Sequence, residues 1–164
     1  MGLFDCKRNR NLSSGRGDSL EAIRATNTWQ HAGVHYVRTE AMVNGYNIPL
    51  SGEFDTDTPD SKYILVLDDV HPVGTCRIHF LPEEGLAKIE RVAVIEAYRK
   101  KGVGRLAIQA AEDWIREEGY KKIVITSRDE AVGFYEALGY NADYNRKDEG
   151  GIFTCIYTEK LLEN

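Results

Sequence analysis

"YRKKGVGRLA", Tyr98 to Ala107, decides how this chain is read. Three cations stand before two glycines one residue apart. An apolar helical pattern then begins, with Val103, Leu106, Ala107, Ala110, Ala111 and Trp114 at i, i+3, i+4, i+7, i+8 and i+11. The first amides of a helix have no intrahelical partner, and the macrodipole favours an anion beside them. Glycine lets a phosphate approach the backbone closely. Arg99, Lys100, Lys101 and Arg105 add positive charge. The stretch predicts a phosphate cradle opening a helix that stops near Gly119. Taken alone, it also reads as an ordinary loop with solvated lysines.

Three cradle designs compete. The Walker loop requires Gly-x-x-x-x-Gly-Lys-Ser/Thr, and here Arg105 follows Gly104. "GVGRLA" matches the dinucleotide fingerprint by letter, but "IEAYRKK" separates the strand "RVAV" from Gly102, where that fingerprint places glycine at the strand end. Its acid is also missing: the next strand ends Thr126-Ser127-Arg128, and an NADP variant would have to rely on Arg128. The third design is a strand, a short arch, then Arg/Gln-x-x-Gly-x-Gly/Ala opening a helix. Arg99 to Gly104 fits it.

Around the loop the elements alternate. "KYILVLD", "VGTCRIHFL" and "LAKIERVAVI", separated by the turns "DDVHP" and "PEEG", predict a meander. Upstream lie a short strand over Leu20–Ala25 and a helix over Trp29–Val43, capped by Thr28, with Val34, Val37, Ala41 and Met42 on one face. A long loop follows, residues 44–61. Downstream come the strand "KKIVIT", a short helix over Glu130–Leu138, and a hairpin of "GYNADYNR" with "GIFTCIYTEKL". This order predicts an α+β (α/β) sheet with helices on its faces.

A length of 164 residues fits one domain. Residues 1–18, polar, cationic and glycine-bearing beyond Cys6, read as a flexible leader; residues 19–164 read as the domain. A net charge of −5 argues against a nucleic-acid partner and is compatible with a cationic substrate. Cys6, Cys76 and Cys155 show no zinc or Cys-x-x-Cys spacing, so no metal is expected and the thiols read as reduced and cytoplasmic. No run is apolar enough for a membrane span or a signal core.

"IERVAVIEAYRKKGVG", followed by "AVGFYEALGY" (Ala131 to Tyr140), resembles the GNAT acetyltransferase superfamily over Ile89 to Tyr140, in order and spacing. "VRTEAMVNGYNIP…EFDTD" resembles, more loosely, the YjcF/ElaA-like branch of that family. Two departures stand out: Gly45-Tyr46 replaces the branch's Glu-Gln, and Thr126-Ser127-Arg128 replaces its Asn-Ala-Gln. Both lie where an acceptor should bind. The resemblance implies a GNAT-type single domain: a mixed, mostly antiparallel sheet of six to seven strands, helices on both faces, and strands 4 and 5 splayed. It implies acetyl-CoA as cosubstrate, its pantetheine arm pairing with the main chain of Val92, Ala93 and Val94 and its pyrophosphate held by Arg99, Lys100, Lys101, Gly102, Val103, Gly104 and Arg105. The implied reaction is acetyl transfer to a small-molecule or peptide amine, with an oxyanion donor near Val92 N–H and Tyr135 as general acid.

For the base, strand alternation puts Glu90 on the side of Val92 and Val94 unless a bulge intervenes. A salt bridge with Lys88 or Arg77 is its alternative role; His79 or a water is the other candidate base. Phe134 reads as helix core. Arg38, Glu40, Glu53 and Asp55 are candidate acceptor contacts or simply solvated charges. Cys76 and Cys155 read as core residues, which implies a direct ternary-complex mechanism. The runner-up is a non-catalytic acyl-CoA-binding or sensing domain. A homodimer is compatible with the resemblance.

Overall fold

The computed structural model describes residues 19–163. The expected leader and Cys6 lie outside the described residues. Continuous apolar runs need cover on both faces of a sheet, and strand β2 (Lys62–Asp68) has it. Ile64 and Val66 pack in one apolar cluster, while Tyr63, Leu65 and Leu67 pack in another on the opposite face. The seven strands run in the order β1-β2-β3-β4-β5-β7-β6, with β1 Leu20–Arg24, β3 His71–Leu81, β4 Leu86–Val94, β5 Lys122–Arg128, β6 Asn141–Asp148 and β7 Cys155–Leu161. All neighbours are antiparallel except β4 and β5.

One face carries α3 (Val103–Glu117) and α4 (Val132–Ala137) over the larger cluster; the other carries α1 (Thr28–Arg38) over the smaller one. Helix α3 buries Val103, Ala107, Ile108, Ala111, Trp114 and Ile115, so the stripe is centred closer to Ile108 than the sequence pattern placed it; Leu106 and Ala110 are only partly buried. The cap of α1 is Asn27 rather than Thr28. Its side chain accepts from Gln30 N–H, and the Gln30 side chain reaches back to the Asn27 amide, a reciprocal capping box. Beyond Arg38 the helix widens into a π segment, Thr39–Asn44, before a last turn ends near Tyr46. The expected long loop contains a short helix, α2 (Leu50–Glu53).

Two irregularities position the site. First, β4 bulges opposite β3: pairing passes from Thr75↔Ala93 to Arg77↔Glu90, and Arg91 sits at φ 50°. Second, β4 and β5 pair only at Ala87↔Ile123 and Lys88↔Val124, and then part.

Candidate active site

The arch after β4 is pinned before it reaches the helix. Tyr98 donates to Asp68 Oδ2 at 2.7 Å, tying the arch to the end of β2. Lys100 (φ 61°) and Gly102 (φ 83°) then turn left-handed, which glycine tolerates and lysine adopts at a cost. Helix α3 starts at Val103 with no side-chain cap and no acid in its first turn. Its first amides therefore stay open, with Arg99, Lys100 and Arg105 around them. Gly104 keeps the approach clear; a Cβ there would meet Phe134 Cζ at 3.2 Å.

A cleft of about 290 Å³ runs from these amides to the parting strands. Val92, Ala93, Val94, Arg99, Lys100, Gly102, Val103, Gly104, Arg105 and Tyr135 line it. Lys101 is not among its walls; its ammonium lies 5.3 Å over the Tyr98 ring. The cleft meets a second one of about 550 Å³, which fills the gap between β4 and β5 and is walled by Ile48, Pro49, Glu53, Glu90, Arg91 and Phe153 among others. Met42, Val92, Arg128, Ala131 and Tyr135 line both.

Adjacent aromatics divide against expectation. Phe134 is not core: it is 39 % exposed, over Gly104 at the cleft. Tyr135 is the buried one, 6 % exposed, packed at 6.0 Å from the Tyr140 ring. The α4 helix has only two turns, so the residue that faces the sheet leaves its neighbour over the α3 terminus. Burial, with a smaller contribution from Cys76, pushes the Tyr135 phenol well above its usual range, against the opposing charge of Arg128. The hydroxyl therefore stays protonated.

The bulge reverses the expected side of Glu90. Ile89, Val92 and Val94 all pack with the α3-side cluster, whereas Ala93 packs on the α1 side. One extra residue between them sends Glu90 towards α1 and α2, away from Val92 and Val94. Its Oε2 accepts from Arg77 Nε at 3.2 Å and Nη2 at 2.9 Å, so the salt bridge with Arg77 is formed. His79 is mostly exposed, with Nδ1 4.0 Å from the same oxygen. It borders a groove with Lys88 that shares Ile89, Glu90, Arg91 and Thr126 with the gap, but does not line the gap itself.

Of the four charged residues read as candidate acceptor contacts or solvated charges, Arg38 does not reach solvent. It is fully buried and donates to Glu53 Oε1 at 2.9 Å, Glu53 O at 2.6 Å and both oxygens of Asp57. Arg38 and Asp57 thus strap α2 and its loop to α1. Desolvation works against the Asp57 carboxylate, but its bonds from Arg38 and Tyr63 and the charges of Arg38 and Arg77 outweigh it, and hold its pKa down to about 2. Glu53 keeps Oε2 without a hydrogen bond, 3.6 Å from Arg91 Nη1. Glu40 is exposed and accepts from Asn44; Asp55 is exposed beside Arg91.

Cys76 is fully buried, and desolvation pushes its thiol up to about 12, so it is not a ready nucleophile. Among the described residues no cluster of His, Cys, Asp and Glu has the makings of a metal site, and no helix is long and apolar enough to cross a membrane. Sequence reasoning passed over Phe134 and Phe153 as walls. It met Tyr46 and Arg128 as departures near the acceptor, and Arg128 also as the residue an NADP variant would need.

The Acetyltransferase (GNAT) family model matches residues 25–140. The chain is 32% identical over 121 residues to YjcF, an uncharacterized N-acetyltransferase of Bacillus subtilis (strain 168), covering 74% of this chain and 85% of that one. Among solved structures, a Lactobacillus plantarum protein provisionally named as an N-acetyltransferase superposes with a TM-score of 0.80 at 27% identity, covering 88% of this chain and 99% of the other. Escherichia coli ElaA shares the fold at a TM-score of 0.71 and 20% identity, covering 86% of this chain and 99% of its own. Matched in family, fold and the order of its motifs, this chain belongs to the GNAT acetyltransferase family and is an acyltransferase.

Proposed function

We propose that the protein transfers the acetyl group of acetyl-CoA to an amine, small-molecule or peptide, in a direct ternary complex. The observation that carries this reading is the continuity of the two clefts: uncapped helix amides at one end, an open gap between β4 and β5 at the other, and Tyr135 on the walls of both. The α3 amides, Arg99, Lys100 and Arg105 hold the pyrophosphate. The backbone of Val92, Ala93 and Val94 receives the pantetheine arm as an added strand edge.

The amine must attack as the free base, and because alkylamines are mostly protonated near neutral pH a proton has to leave first. Its nitrogen forms the C–N bond, and a main-chain amide near Val92 supports the oxyanion. Glu90, acting through a water in the gap, takes the amine proton; its Arg77 partner keeps the carboxylate oriented. Collapse breaks the C–S bond, and Tyr135 gives its proton to the departing thiolate. The proton shed by nitrogen then restores the phenol.

Thiol release monitored across an amine panel, with thermal shift against acetyl-CoA, CoA and NADP, tests this. Release with at least one amine and stabilisation by the two CoA species is expected. Stabilisation by NADP alone overturns the reading. Acetyl-CoA binding with no release on any amine favours a non-catalytic acyl-CoA sensor instead.

A further inference from the structure

Resting on the acetyl-transfer reading, we infer that Arg128 selects the acceptor: this site takes an amine that also carries a carboxylate, with an apolar side chain beside it, as a free apolar α-amino acid does. Arg128 ends β5 at the mouth of the gap and lines both clefts, so it stands where donor and acceptor meet. Its guanidinium lies over two touching rings, with Cζ 4.9 Å from the Tyr46 centroid and 4.9 Å from that of Phe153; the rings themselves meet edge-on at 5.3 Å. Contact with two rings restrains an arginine head, whose fork suits a planar carboxylate.

That edge is met by the protein only through one exposed acid. Arg128 Nη1 is buried and has no hydrogen-bond partner. Glu130 Oε1 lies 3.1 Å away, close enough for an ion pair but outside hydrogen-bond alignment, and the Glu130 side chain is mostly exposed. A water-screened contact of this kind is weak. A buried donor without an acceptor favours any ligand that brings one.

The other arginines near the gap each face two acids, where Arg128 faces one. Arg91 lies beside Glu53 and Asp55. Arg77, behind it, is engaged by Glu90 and Asp57. Beyond Arg128 the walls turn apolar, with Ile48, Pro49, Ile152 and Phe153. Ile152 is 71 % exposed, an apolar surface awaiting cover. An acceptor with a carboxylate on Arg128 and an apolar side chain on these residues leaves its amine facing the junction walled by Val92 and Tyr135.

Matched pairs test this: leucine against leucine amide, and phenylalanine against phenethylamine, each by thiol release from acetyl-CoA. The wild type should favour the carboxylate partner by about 10- to 100-fold in kcat/KM, the range of one charge-assisted pair. In R128Q that ratio should collapse towards one, while R128K, which keeps the charge but not the fork, should retain part of it. Calorimetry with acetyl-CoA on each variant separates donor binding from acceptor choice. Turnover of amines with no carboxylate preference in the wild type overturns this inference and leaves acetyl transfer standing. A ratio unchanged in R128Q also overturns it. An absence of thiol release from any amine defeats both.

Discussion

At the residue scale, the proposed chemistry and the proposed binding rest on two separate positions, Tyr135 and Gly104. Tyr135 is buried and its phenol is kept protonated, so it holds a proton to donate. Tyr135→Phe removes one oxygen and leaves the packing against Tyr140 intact. Thiol release should slow by about 10²- to 10⁴-fold, the usual reach of a general acid, with acetyl-CoA affinity by calorimetry unaltered. Unchanged turnover removes Tyr135 from the mechanism. Gly104 is the complementary case. An aspartate there projects its Cβ into Phe134 and puts a negative charge beside the open amides. Gly104→Asp should keep the thermal transition of the free protein near wild type and lose the calorimetric signal for acetyl-CoA. A folded variant that still binds would show that the α3 terminus is not the cradle.

Elements obey rules that a sequence reports unevenly. The loop and the start of α3 were legible because everything they need lies within ten residues: cations, two glycines and the start of a 3.6-residue stripe. The meander was legible from turn residues between apolar runs. The face of Glu90 was not, because a single inserted residue, Arg91 at φ 50°, flips everything beyond it and leaves no mark in the alternation. Nor was the role of Arg38, whose partners Glu53 and Asp57 lie 15 and 19 residues further on. In sequence these were loop acids near an arginine; folded, they are a buried ion pair clamping α2 to α1. Breaking such a pair leaves charge buried without a partner, so Arg38→Ala should cost about 3–5 kcal/mol in denaturant unfolding. The same clamp sets an acid response. The folded pKa of Asp57 is depressed from 3.8 to about 2, so its stabilisation is full above the unfolded value and is lost as pH falls through the folded one. Asp57→Asn should be less stable at neutral pH, and its melting temperature should fall less than the wild type's between about pH 4 and 2. Parallel curves for the two proteins would mean that Asp57 is not linked to folding.

For the molecule as a whole, the sheet is two half-sheets joined by little backbone pairing. β1 to β4 pair along their lengths, as do β5, β7 and β6, but the halves meet at two register pairs near Ala87 and Lys88. The splay was legible only through family resemblance, since two strands that part have the same composition as two that pair. What holds the halves together past Lys88 is the apolar cluster under α3 and α4, which takes Ile89 from β4 and Ile125 from β5. A ligand lying in the gap would supply the missing edge. Amide exchange of the free protein should therefore be slow in β2, β3 and at the β5–β7 border, and fast at those β4 amides beyond Lys88 that face β5. Acetyl-CoA should slow exchange at those β4 amides and at the first turn of α3 together, and at about 100 times its dissociation constant should add about 2.7 kcal/mol to global stability. Gly104→Asp should abolish both effects at once, because the pyrophosphate grip and the strand pairing belong to one bound molecule. Strong protection of the β4 edge before any ligand is added would mean that the gap is closed in solution, and the donor would then have to enter by another route.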